Sequence, residues 1–235
     1  MDERLVLWDV DGTLLRTEGV AQQAFDLAAE HVLGRPPGAH EVRMSGKTDP
    51  LIALEILAFA GLDEEEAHRL LPDVLARLEA ELAAAEHLVR EQGRALPGVP
   101  EVLEALHHHP GVVQSLLTGN LAANAVVKIR AFGLDRWIDA DVGAYGSDHL
   151  DRDELVPIAL ERVECLRGRR LTPADVWVVG DTPRDLACAR AGGARCLLVA
   201  TGRFAIEELA DLGADELLPD LTDTAAVLEI LLPST

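Results

Sequence analysis

Two aspartates one residue apart, Asp9 and Asp11, close an apolar run in LVLWDVDGTLL at positions 5–15, and Gly12 and Thr13 follow at once. An unpaired carboxylate at the end of a buried strand is costly and two neighbours repel, so the pair needs water or a cation. For a single aspartate, a solvated strand end with an Asx-type turn at Asp11-Gly12 is the plainer reading. Two further apolar runs end in the same way. VVQSLL at 112–117 leads into Thr118-Gly119-Asn120, and DVWVVG at 175–180 leads into Asp181-Thr182-Pro183-Arg184-Asp185. If Asp9, Asp11, Asp181 and Asp185 converge, they require a counter-ion, and an all-oxygen set without His or Cys suits a hard divalent cation, Mg²⁺ above all. Magnesium keeps waters and shares phosphate oxygens, so the expected partner is a small phosphorylated metabolite. In such a site Asp9 is the candidate nucleophile. Asp11, two residues on and on the same side of an extended chain, is the candidate acid and base. Thr118, with the backbone of Gly119 and Asn120 at a helix start near Leu121, can donate hydrogen bonds to phosphoryl oxygens.

These residues need a scaffold that brings strand ends together. Leu5 to Trp8 form a near-continuous apolar run, as expected of a strand buried on both faces. From about Val112 onward, short apolar runs at 112–117, 138–144, 175–180, 196–200 and 216–219 alternate with amphipathic helical stretches. Strand alternating with helix predicts an α/β fold with a doubly wound parallel sheet, in which ligands bind beyond the carboxyl ends of the strands. Residues 18–94 contain no convincing strand. AQQAFDLAAEHVL, PLIALEILAFA and PDVLARLEAELAAAEHLV carry helical apolar spacing, which predicts an inserted all-helical domain over 17–94 between core segments 1–16 and 95–235.

Composition narrows the function classes. A formal net charge of −20 argues against nucleic acid or an anionic membrane as partner, although a local cation can reverse the field in one pocket. No uninterrupted apolar run reaches membrane-spanning length, and the residues before the first strand do not read as a signal peptide, so a cytoplasmic protein is expected. The three cysteines have neither disulfide-framework nor zinc spacing and read as small buried hydrophobes. Acidic runs such as DEEEAH at 63–68 read as solvated helix faces.

DVDGTLL at 9–15, LLTGN at 116–120 and VVGDTPRD at 178–185 resemble, in order and spacing, the first, second and fourth motifs of the haloacid dehalogenase superfamily. The helical insertion directly after the first motif looks like the small helical cap of the phosphoglycolate phosphatase and β-phosphoglucomutase branch. The resemblance implies a Rossmann-like core and a Mg²⁺-dependent phosphatase acting through Asp9. It implies a metal held by the Asp9 side chain, the Asp11 carbonyl and Asp181, with Asp185 positioning metal-bound water.

The family's third motif, usually a lysine, departs from pattern here. The chain has only two lysines, Lys47 and Lys128. Lys128 falls seven residues into the helix that begins near Leu121, about 10 Å along its axis, which is far for one side chain. Arg152, in the loop HLDRDEL, occupies the expected position and is preferred; its plainer alternative is pairing with Asp148 or Asp151. Lys47, in the turn MSGKTDPL with Thr48 or Asp49 as helix cap, is either a surface lysine or a reader of the far, anionic end of the substrate. By resemblance, a cap lysine also serves phosphonoacetaldehyde hydrolases, but those enzymes lack the acid that Asp11 supplies. The same residue argues against haloacid dehalogenase activity itself. A phosphomutase of the β-phosphoglucomutase type is the serious rival, because it shares both aspartates and the cap. It would need a second phosphate site, for which Arg35, Arg43 and Lys47 are the only nearby cations. A phospho-accepting regulatory domain would be shorter and without the cap, and a silent scaffold would not need four aspartates.

Overall fold

Six parallel strands make one sheet in the computed structural model, which describes residues 3–232. They are β1 (Arg4–Trp8), β4 (Val112–Thr118), β5 (Ala144–Tyr145), β6 (Val176–Gly180), β7 (Arg195–Val199) and β8 (Glu216–Leu218), in the order β5-β4-β1-β6-β7-β8. β1 lies between β4 and β6, so the chain winds outward in one direction and then in the other from this central strand. Side chains alternate between the two faces. Val6, Trp8, Trp177, Val179 and Leu197 join one apolar cluster, and Leu5, Leu7, Val176, Val178 and Leu198 join the other. Helices cover both clusters, as an all-parallel sheet requires: α5 (Val99–His107), α6 (Ala122–Ala131), α7 (Leu155–Arg167), α8 (Pro183–Ala191), α9 (Ile206–Ala210) and α10 (Thr224–Leu231).

Between β1 and α5 the chain builds four helices, α1 (Val20–Leu33), α2 (Asp49–Phe59), α3 (Glu64–Ala84) and α4 (Glu86–Gln92). Their apolar faces meet around Phe25, Ile56, Val74 and Leu78. Leu121, Val127 and Ala131 of the core segment complete this third cluster, so the helical insertion shares its apolar interior with α6. The chain leaves and re-enters the core side by side, where β2 (Leu15–Arg16) pairs antiparallel with β3 (Arg94–Ala95). DEEEAH is the exposed start of α3, closed by a capping box between Asp63 and Glu66.

Two sequence expectations need correction. IDADVGA at 138–144 is not a strand: Ala140–Val142 is a 3₁₀ turn, and only Ala144–Tyr145 pairs with β4. Asp141 is exposed and half-buried Asp139 pairs with Arg167, which a strand buried on both faces would not allow. Cys188 and Cys196 are buried as expected, but Cys165 on α7 is exposed.

Candidate active site

The carboxyl ends of the three central strands β4, β1 and β6 converge at the topological switch point. Past β1 the chain turns sharply at Gly12, whose φ of 91° is left-handed, and returns to hydrogen-bond Leu15 O from Gly12 N at 2.9 Å. A Cβ at Gly12 would lie 2.7 Å from Asp181 Oδ2, so this turn and the end of β6 fit together only with glycine here. Asp9 N donates to Val179 O at 2.9 Å, fixing the end of β1 against β6.

Asp9, Asp181 and Asp185 bring carboxylate oxygens within 4.8 Å of one another, and all three are buried. Burial, offset in part by Arg152 but reinforced by Asp185 and Asp11, pushes the Asp9 carboxyl up to about 6. Burial and the neighbouring carboxylates Asp185 and Asp9 push Asp181 up to about 8, although Thr13 Oγ1 donates to its Oδ1 at 3.1 Å. Asp185 is already engaged: Oδ2 accepts from Thr182 N at 2.9 Å and Thr182 Oγ1 at 2.7 Å, and Oδ1 from Arg152. This set of clustered oxygen donors, with one carboxylate lacking any basic side-chain partner, fits a hard divalent cation between Asp9 and Asp181.

Asp11 points elsewhere. Its Oδ2 accepts from Lys128 Nζ at 2.6 Å and from Asn120 Nδ2 at 2.8 Å, and its side chain remains partly exposed to the cavity. Lys128 Nζ also donates to Asn120 Oδ1 at 2.6 Å, and Asn120 Nδ2 to Thr118 Oγ1 at 2.8 Å. The expectation that Lys128 lies too far away is therefore wrong. Side chains of a helix lean toward its N-terminus, so the long stem of Lys128 recovers much of the axial rise that separates it from the strand ends.

Arg152 does not pair with Asp148 or Asp151. Its Nη2 lies 3.2 Å from Asp9 Oδ1, binds Asp185, and donates to Leu117 O at 3.3 Å. Burial opposes its charge, but the carboxylates of Asp185 and Asp9 more than offset this and keep the guanidinium protonated. The structure thus places two cations at the site, Arg152 beside Asp9 and Lys128 beside Asp11.

These groups line a cavity of about 220 Å³, together with Thr118, Gly119 and Asn120 on one side and Thr17, Gln22, Met44, Ser45, Lys47 and Ile52 on the other. Lys47 faces this cavity but its Nζ is held by Glu55 at 2.7 Å. Two further residues belong to the site beyond the candidates that the motifs single out: Thr13, which orients Asp181, and Asp49, which opens α2 and is buried against the core. An oxygen side chain directly after the Asp-Gly turn was the available signal for Thr13.

Fold and site define a hydrolase with a Rossmann-like core and an inserted helical cap. The chain belongs to the haloacid dehalogenase-like hydrolases, which residues 6–190 match. It is 30% identical over 243 residues to phosphoglycolate phosphatase 1 of Pseudomonas aeruginosa, spanning 98% of this chain and 83% of that one. It is 31% identical over 247 residues to the phosphoglycolate phosphatase of Pseudomonas syringae pv. tomato, with the same coverage. Its fold matches a predicted phosphoglycolate phosphatase from Haemophilus somnus, with TM-score 0.69, 20% identity, and 97% and 98% of the two chains covered. It also matches a putative β-phosphoglucomutase from Thermotoga maritima, with TM-score 0.59, 22% identity, and 97% and 100% covered. Among the described residues no helix is long and apolar enough to cross a membrane.

Proposed function

We propose that the chain is a Mg²⁺-dependent phosphatase of small phosphomonoesters, acting through an aspartyl-phosphate on Asp9. The observation that carries this is the division of the carboxylates: Asp9 sits in a buried cluster with Asp181, Asp185 and Arg152, while Asp11 is drawn aside by Lys128 and Asn120. Asp9 and Asp181 would hold the ion directly, joined by the Asp11 carbonyl, and Asp185, with both oxygens engaged, would act through Arg152 and water. The ion supplies charge neutralisation that lets an anionic nucleophile meet an anionic phosphoryl group.

The chain's own groups divide the rest. Asp9 attacks phosphorus as the bond to the leaving oxygen breaks, and Asp11 gives that oxygen its proton. Water then attacks the same phosphorus, Asp11 takes the proton back, and the Asp9 carboxylate is restored as inorganic phosphate leaves. Thr118 Oγ1, the Gly119 N–H and the Arg152 guanidinium hold the equatorial oxygens, where charge is greatest. Lys128, between Asp11 and Asn120, holds Asp11 in place.

Phosphoglycolate is the first substrate to try, because the curated relatives at about 30% identity carry that name. The pairing of Lys47 with Glu55 disfavours the Schiff-base reading, and for a mutase it leaves Arg35 and Arg43, of the three cations considered, as those that no carboxylate among the described residues holds. A Schiff-base lysine must be neutral, which a bound carboxylate opposes.

The test is phosphate release from a panel of small phosphomonoesters, including 2-phosphoglycolate and β-glucose 1-phosphate, with and without Mg²⁺, for wild type and Asp9→Asn. Mg²⁺-dependent release that vanishes in Asp9→Asn is the expected result. No release from any ester by the folded, metal-supplied protein would overturn the reading.

A further inference from the structure

Asp49 is a buried carboxylate that the chemistry above does not use. It opens α2, in the helical insertion, yet it lies against the core and is only 6% exposed. Its backbone N–H donates to Gly119 O at 2.7 Å. Its Oδ2 accepts from Leu121 N at 2.8 Å and from Asn124 Nδ2 at 3.2 Å. Leu121 and Asn124 stand at the start of α6, about two turns and one turn before Lys128. The first amides of a helix have no partner within it, and their end of the helix favours negative charge. No side chain near Leu121 in sequence caps α6, so the carboxylate arrives from the insertion instead.

Neighbouring contacts seat the same loop. Thr48 Oγ1 donates to Leu150 O at 2.8 Å, and Arg152 Nη1 to Gly46 O at 3.4 Å. A Cβ on Gly119 would lie 2.0 Å from Lys47 O, and one on Gly146 would lie 2.0 Å from Gly119 O. Residues 46–49 are thereby locked to the loops that carry Thr118, Asn120 and Arg152. Burial pushes the Asp49 carboxyl up to about 6, and the Lys128 charge partly offsets this, as expected of an anion that Lys128 also faces.

We propose that Asp49 is a positioning residue whose carboxylate caps α6 from the insertion, so that seating the insertion on the core and aligning Lys128 with Asp11 are a single event. The kinetic part rests on the phosphatase reading; the structural part does not.

The experiment compares wild type, Asp49→Ala, Asp49→Asn, Lys128→Met and the double variant Asp49→Ala/Lys128→Met. Hydrogen exchange in Asp49→Ala is expected to rise roughly tenfold at residues 46–50 and 120–125, with β1 and β6 unchanged. Acylation of the Lys128 amine by a small anhydride, read by mass spectrometry, is expected to speed up severalfold. With a phosphomonoester and Mg²⁺, kcat is expected to fall roughly a hundredfold with KM changed less. In the Lys128→Met background the same Asp49→Ala change is expected to cost less than about twofold, because the two residues act through one contact. Additive losses, or unchanged exchange and acylation, would overturn the proposal. If Asp49→Ala does not fold, Asp49→Asn, which keeps one acceptor for Leu121 N, carries the same readouts with smaller shifts in the same direction. A wild type that releases no phosphate would defeat the phosphatase reading alone, since exchange and acylation would still decide this one.

Discussion

Asp11 and Lys128, 117 residues apart in the chain, meet at 2.6 Å, with the Asn120 carboxamide bonded to both. In the proposed role of acid and base, Asp11 has to face the leaving oxygen throughout, and this three-way contact restricts where its carboxylate can turn. Lys128→Met is expected to lower kcat by about a hundredfold or more, within the range of lost general acid–base catalysis. Steady-state kinetics on the best ester decide it. A loss under about threefold would mean that Asp11 needs no such restraint.

Arg152 is 5% exposed and bound to two carboxylates, Asp9 and Asp185. Removing one partner of a buried ion pair leaves the others uncompensated, so Arg152→Met is expected to destabilise the metal-free protein by about 3 kcal/mol. Urea unfolding in chelator measures this. An unchanged midpoint would show that Asp9 and Asp185 are satisfied without the guanidinium.

The pH dependence of stability has a definite sign. Asp9 and Asp49 are raised to about 6, and Asp181 to about 8, from an ordinary value of 3.8. Through that window the folded protein binds more protons than the unfolded chain, so stability falls as pH rises. Melting temperature in chelator is therefore expected to drop between about pH 4 and about pH 8, with Asp9 and Asp49 contributing below about pH 6 and Asp181 over the whole span. Magnesium is expected to flatten the drop, because it binds the deprotonated carboxylates. A melting temperature that rises with pH in chelator would contradict the burial of this cluster.

Gly119 offers a probe of the seated loop that leaves every polar side chain in place. Its Cβ in Gly119→Ala would strike the Lys47 carbonyl, backbone that cannot swing aside. The variant is expected to keep the melting profile of the core but to lose at least about tenfold in kcat/KM, the scale of a misplaced catalytic group. Wild-type kinetics would mean that the loop has room to retreat without effect on catalysis.

Much of this was legible in the sequence because the informative residues lie at strand ends. The parallel sheet and the helical insertion follow from runs whose period and length separate cleanly. Asp9, Asp11 and Asp181 stand directly beyond such runs. Lys128 was misjudged because helix rise locates a backbone and not the tip of a long side chain leaning back along the axis. Asp49 was hidden by its sequence context: an aspartate beside Thr48 and before Pro50 reads as a local cap, and nothing in the linear chain shows that it caps a different helix. The stretch 138–144 failed for the opposite reason, since its apolar residues pack singly between charged ones.

The pairing of Leu15–Arg16 with Arg94–Ala95 places both ends of the helical segment at one point on the core. Cutting the chain there and rejoining it would span almost no distance, so the segment has the geometry of an exchangeable cassette. What resists exchange is α6, which lends Leu121, Val127 and Ala131 to the segment's own interior. A foreign cassette would have to match that one face, and sequence drift on either side of it is expected to be coupled. Specificity would then change most easily at Met44 and Ser45, which line the cavity ahead of the locked residues 46–49, and least easily where the cassette meets α6.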